Sequence, residues 1–515
     1  MRDLDLLRLE RRVGLMLAPL AEQPGATIGV TRDGVLLLRR SVGLASLDLH
    51  IPLGVASCFR IASVSKQFTC AAILLLERDG LLGVDDPVRR HLPELPESLD
   101  SITLDHLMRN SSGLRDMLEL LRLGGADLAT HLDAAELDAA IARQRTLNFA
   151  PGSRFLYSNS GFWLLGRVIE RISGQSLAEF LETRIFLPLG MTRTRHTPDL
   201  ARPVRGLATG YLPDGLGGFT TARHGFPLGG EGGLVSCVED LALWARSLSV
   251  GGLGSEIETR LQATLPFTGG AMNRYALGLE VEEWRGLRLV SHGGLWPGYK
   301  TAFLRLPEKR LTVFVLANNA ALDPHHMALQ VLEAALGNDP ALQPEPPPLD
   351  HAPMTGTWLS EAEGLSLDIG ADGTARMHGV PFALIPTTDG RMRARRGAFP
   401  FRASLPEGDA MEVEFDAGHR ALFRRAAPMP PPALDGVWHC AELAAEWHIR
   451  DGVMRALGPV RRGPPSAITA LGPRHLRIAM PSSLFEGWAD AVLAEDGRSL
   501  VVNASRARGL VFTRA

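Results

Sequence analysis

The chain has 515 residues, 45% hydrophobic and 22% charged, close to the proportions of ordinary soluble domains. At roughly 150 residues per domain this predicts about three domains. The 54 basic and 57 acidic side chains leave a formal charge of −3, which excludes nucleic acid and anionic bilayers as partners drawn by global charge. No run reaches the roughly 18 apolar residues of a spanning helix.

From the N-terminus, Leu6, Leu9, Val13 and Leu17 recur at helical spacing and predict an amphipathic helix. The apolar stretch 13–21 follows Arg11-Arg12 as a leader's would, but Asp3, Asp5 and Glu10 precede it and no clean cleavage site follows. A cytoplasmic location is therefore expected. Four dispersed cysteines, Cys58, Cys70, Cys237 and Cys440, fit a reducing compartment in which thiols pack as small hydrophobes. Strands are predicted over 27–32 and 35–40 around an Asp33-Gly34 turn, and helices over 65–77 and 160–172. Strands return over 299–306 and 311–317, followed by a helix with Asp323 as N-cap and Pro324 at its first position. The pattern is α/β (α+β): an antiparallel sheet built from both ends of this piece, with helices between and beside its strands.

Proline-rich stretches at 339–353 and 428–432 divide the chain into pieces 1–338, 353–427 and 434–515. The two small pieces repeat one another. Gly356-Thr357-Trp358 recurs as Gly436-Val437-Trp438, the turns Asp372-Gly373 and Asp451-Gly452 correspond, and both close on similar strands, 422–426 and 511–515. Two antiparallel β-barrels are expected.

The sharpest chemical signal is Ser63-Val64-Ser65-Lys66. It opens an apolar helix, so Ser63 and Lys66 share a face one turn apart. A serine hydroxyl needs a base, and a desolvated lysine at the positive end of a helix can be that base. Tyr157-Ser158-Asn159 supplies a proton-relaying phenol and a carbonyl-holding amide, and His292-Gly293-Gly294 precedes the strand from Tyr299. Each motif taken alone also reads as an ordinary capping turn or hairpin entry. No metal site is expected: His325 and His326 are adjacent instead of one turn apart, and no H-E-x-x-H occurs. No phosphate-cradling loop points to a nucleotide cofactor.

In this order and spacing, the three motifs resemble those of the penicillin-recognising serine hydrolases, the serine β-lactamases and D,D-peptidases. The segment 107–114 resembles a stretch that family carries between its first two motifs. Within it the chain is most similar to the D-aminopeptidase branch, through Ser63-Val64-Ser65-Lys66-Gln67-Phe68-Thr69-Cys70, its total length and the two barrels. The resemblance implies removal of N-terminal D-amino acids from small peptides, amides or esters, with no cofactor and with a homodimeric assembly. It implies Ser63 as nucleophile, Lys66 as base, Tyr157 as proton relay and Asn159 as substrate anchor. The oxyanion would lie between the N–H groups of Ser63 and Leu295, the residue after Gly294. His292 stands where many relatives have lysine, which disfavours a carboxypeptidase. The resemblance also implies a loop from the last barrel that brings an acid to the substrate's amine. Its counterpart is 480–488, where Pro481 stands in place of the expected aspartate and Glu486 is the one acid. A broad β-lactamase-like esterase or amidase is the rival enzyme, and a non-catalytic peptide-binding protein the rival from another class.

Overall fold

The computed structural model describes residues 6–337, 339–394, 400–427, 429–460, 463–481 and 487–515. The predicted N-terminal helix is α1 (Leu6–Leu17), which buries Leu9, Val13 and Leu17. Strands β1 (Ala26–Arg32) and β2 (Val35–Val42) form a hairpin. A single turn of 3₁₀ helix, Ala62–Ser65, leads into α2 (Lys66–Arg78). Further along lie α3 (Met117–Leu123) and α4 (Asn159–Ser173). Strands β3 (Glu280–Trp284), β4 (Leu287–Trp296), β5 (Tyr299–Leu306) and β6 (Leu311–Ala317) follow, then α5 (Pro324–Leu336), capped by the Asp323 side chain as its sequence indicates.

The six strands form one antiparallel sheet in the order β3-β4-β5-β6-β1-β2, so both ends of the segment meet at the β1–β6 pairing. Alternate residues face opposite sides. Ile28, Val30, Leu304 and Val313 pack under α1 and α5, while Phe303 and Phe314 face the helical layer. Helix α2 is buried from Lys66 to Leu76 because it lies between that face and the surrounding helices. Strand β3 covers β4 only as far as Ser291. Among the described residues no strand pairs with the 292–296 half of β4 on that side, and Gly294 within it lies against the backbone entering the Ser63 turn.

The two repeats are closed eight-stranded antiparallel barrels, running from Gly356 to Ala426 and from Gly436 to Arg514. The repeated tryptophans play the same part in each. Trp358 Nε1 donates to Met354 O at 2.7 Å and Trp438 Nε1 to Leu434 O at 2.9 Å. Arg425 and Arg514 stack on these two rings. The barrels meet over a buried carboxylate: Asp490 accepts from Ser366 N and Oγ at 3.0 and 2.6 Å, and bonds His475 Nε2 at 3.0 Å. The second barrel also grips the helical layer, with Trp447 Nε1 donating to Leu123 O and Arg115 paired with Glu442. No helix among the described residues is long and apolar enough to cross a membrane.

Candidate active site

Ser63 lies in the 3₁₀ turn and Lys66 is the first residue of α2. Ala62, just before Ser63, is held at φ +48°, a left-handed conformation that costs a residue with a Cβ. The turn is pinned from outside. Thr301 Oγ1 donates to Ile61 O at 3.0 Å, and Gly294 of β4 lies so close that a Cβ there would sit 2.3 Å from the same oxygen.

Lys66 is fully buried. Its Nζ is 3.1 Å from Ser63 Oγ, 2.9 Å from Asn159 Oδ1 and 2.6 Å from Glu231 O. Burial lowers its pKa to about 7, against the partial pull of Glu231 and Asp116. A neutral amine here donates to Asn159 and Glu231 and turns its lone pair to the Ser63 hydroxyl, which makes an activated nucleophile. The Tyr157 ring lies beside Lys66, with Nζ 4.8 Å from its centroid. Its hydroxyl is buried and turned toward Ser63. Burial holds the phenol well above its ordinary range, opposed mainly by the Ser63 hydroxyl and then by the charge of Arg506. It therefore keeps its proton for donation. The 107–114 segment supports this residue: Ser158 N donates to Asn110 Oδ1 and Leu156 N to Asn110 O.

His292 is buried on β4. Its Nδ1 lies 2.6 Å from Gly293 O, an acceptor only, so Nδ1 carries a hydrogen. Its Nε2 meets Tyr275 Oη at 2.8 Å. Both ring nitrogens are thus engaged within the protein, which suits the expectation that this position recognises a carboxylate weakly. Leu295 pairs with Lys300 and is 53% exposed at the open edge of β4. Glu231 contributes through its backbone. Its carboxylate accepts from Gly229 N and shapes the turn that presents Glu231 O to Lys66.

One group lies outside the sequence reading. The loop between the last two strands of the second barrel, Ser499–Asn503 and Leu510–Arg514, reaches under the site. Arg506 Nη1 is 3.1 Å from Asp116 Oδ2, and Asp116 N donates back to Arg506 O at 3.1 Å. Asp116 Oδ2 also accepts from Asn159 N at 2.8 Å, and its other oxygen caps α3. The ion pair therefore fixes the residue that holds Lys66. No local motif flags it, because Asp116 and Arg506 lie in different pieces of the chain.

Of the expected 480–488 loop, Met480, Pro481, Gly487 and Trp488 lie within the described residues. Pro481 is exposed beside Arg122 and Gly125 at the seam between α3 and the second barrel. Trp488 donates to Ser366 Oγ and stacks under Arg477 at the barrel–barrel junction. Glu486, with 482–485, lies outside the described residues. No cluster of potential metal ligands occurs among the described residues.

Half-buried Ser63 beside fully buried Lys66, with Asn159 bonded to Lys66 and the Tyr157 ring against it, is an arrangement suited to a serine hydrolase of the β-lactamase type. The chain belongs to the Beta-lactamase family, whose model matches residues 16–336. It is 30% identical to the D-aminopeptidase of Gluconobacter oxydans over 86% of this chain and 84% of that one. It is 31% identical to the D-aminopeptidase of Cereibacter sphaeroides over 91% and 90%. Among solved structures, the octameric penicillin-binding protein homologue from Pyrococcus abyssi aligns with TM-score 0.58 at 23% identity, covering 88% of this chain and 98% of that one. The D-amino acid amidase from Ochrobactrum anthropi aligns with TM-score 0.54 at 23% identity, covering 64% and 98%.

Proposed function

We propose that the chain is a serine D-aminopeptidase, releasing N-terminal D-amino acids from small peptides, amides or esters through an acyl-enzyme on Ser63. The observation that carries the reading is Lys66, buried without a carboxylate partner among the described residues, near-neutral in proton affinity and 3.1 Å from Ser63 Oγ. Neutral Lys66 takes the Ser63 proton as Oγ attacks the scissile carbonyl. The N–H groups of Ser63 and Leu295 hold the developing oxyanion. Asn159 orients the substrate amide while steadying Lys66. Tyr157 gives its phenolic proton to the leaving amine and is reprotonated from Lys66. Water then enters from the open edge of β4 and repeats the sequence on the ester.

His292, tied to Tyr275 and Gly293, leaves the pocket without lysine's fixed charge, which favours substrates lacking a carboxylate beside the scissile bond. The family resemblance supports Glu486 as the partner of the substrate ammonium, with Pro481 where an aspartate is expected. A homodimer in a reducing, cytoplasmic setting belongs to the same proposal, supported by the family resemblance and by four free, buried cysteines.

Paired hydrolysis of D- and L-alanine p-nitroanilide tests it. Strong D-preference that disappears on amine acetylation is the expected result. Turnover indifferent to chirality would replace this reading with the broad esterase or amidase.

A further inference from the structure

A cavity of about 930 Å³ is bounded by the β4–β5 turn at Pro297 and by segments 131–134, 198–201, 207–210 and 222–227. Ser63, Lys66, Tyr157, Asn159 and His292 do not line it. Its volume is that of a pocket for a small organic molecule.

Arg60 lines this cavity from the short strand Phe59–Arg60 and is only 5% exposed. Its Nη1 donates to Thr197 Oγ1 at 3.0 Å, and among the described residues no carboxylate pairs with it. The contrast is with Arg109 and Arg115, equally buried, which pair with Asp105 and Glu442. A guanidinium taken out of water without a counter-charge is costly, and its planar fork matches a carboxylate in a bidentate pair. A second wall residue is also incomplete. His224 stacks on Trp296 at 5.4 Å and 12°, and its Nε2 is buried without a partner among the described residues. Burial and the nearby Arg60 charge hold this imidazole neutral, with its pKa down at about 3.

Neither acid lining the cavity pairs with Arg60. Asp133 Oδ1 accepts from Glu136 N, and Asp199 Oδ1 accepts from Ala201 N while its other oxygen faces Arg202. Arg223 adds a second cation to the lining, and Leu132, Phe226 and Tyr299 supply apolar wall.

We propose that this cavity is a binding site for a small organic carboxylate with an apolar body, its carboxylate seated on Arg60 and its body against Phe226 and Tyr299. Amino acids and short peptides with apolar side chains belong to that class. The site is separate from the one that cleaves.

Calorimetric titration of the full-length protein with 3-phenylpropionate, which has no scissile bond, tests this. Saturable binding is expected in the submillimolar to millimolar range, at least tenfold weaker in Arg60→Met and absent for 3-phenylpropanol. Because Arg60→Met removes a buried group, Ala222→Phe serves as a second variant. It enlarges a half-buried lining side chain next to Gly298 while leaving the Arg60 side chain itself unchanged, and it is expected to abolish binding while circular dichroism shows the protein folded. Equal binding of acid and alcohol, binding unchanged in Ala222→Phe, or no saturable binding would overturn the proposal. Tighter binding of inorganic phosphate than of the acid would overturn the carboxylate assignment.

Discussion

Gly294→Ala separates a positional requirement from a chemical one. The added methyl carries no function, yet its carbon would sit 2.1 Å from Thr301 Oγ1, 2.3 Å from Ile61 O and 3.2 Å from Ala62 Cβ. Relaxed carbon contacts need about 3.5 Å. Thr301 is held by its own bond to Ile61 O, and that carbonyl belongs to the backbone entering the Ser63 turn. The strain of roughly an ångström must therefore be taken up by moving β4 away from the turn. Displacement on that scale costs catalysis about a hundredfold, and overpacking of this kind destabilises by about 1–3 kcal/mol. We expect kcat/KM for D-alanine p-nitroanilide to fall about a hundredfold with a modest drop in Tm. Adding Thr301→Ala relieves only one of the two severe contacts and should not restore activity. A Gly294→Ala enzyme within threefold of the parent would refute the claim that β4 and the Ser63 turn are locked together.

Lys66 must be neutral to accept the Ser63 proton, and its pKa is about 7, so kcat/KM should rise about tenfold per pH unit below neutrality and level off above it. Lys66→Met should remove that limb and at least about a thousandfold of activity with the circular dichroism spectrum retained. Arg506 depresses the Lys66 ammonium and is paired to Asp116. Arg506→Met should therefore lower kcat and move the ascending limb to higher pH, whereas a purely structural role would leave its position unchanged. Asp490 is buried, which raises its pKa, but His475, His378 and Ser366 more than offset this and leave it below the ordinary aspartate value. Its contribution is present above that value and lost as pH falls below it. Asp490→Ala, which strands its buried partners, should cost about 3–5 kcal/mol in urea unfolding.

Local motifs were legible from the chain alone. Ser63 and Lys66 are one helical turn apart, and an amine in so apolar a helix has no route to water. Tyr157 and Asn159 flank the start of α4, and the duplicated Gly-x-Trp segments announced two barrels because each tryptophan closes onto a carbonyl four residues earlier. The strand over 311–317 follows from a nearly continuous apolar run at the centre of the sheet, and that over 299–306, beside it, from its aromatic and aliphatic residues. What was not legible depends on distance. Arg506 meets Asp116 only because the second barrel docks against α3. The role of Glu231 lies in a backbone oxygen, which no side-chain motif can announce. The orientation of the Tyr157 ring is set by packing against Tyr275 and His292.

The central claim is that Ser63, activated by Lys66, carries the acyl group. Acid quenching during turnover of D-alanine p-nitrophenyl ester, followed by mass analysis of the peptide containing Ser63, tests it directly. The account predicts one D-alanyl group on Ser63 in the parent enzyme and none in Ser63→Ala or Lys66→Met. Turnover by Ser63→Ala at the parent rate, or an acyl group on another residue, would contradict it.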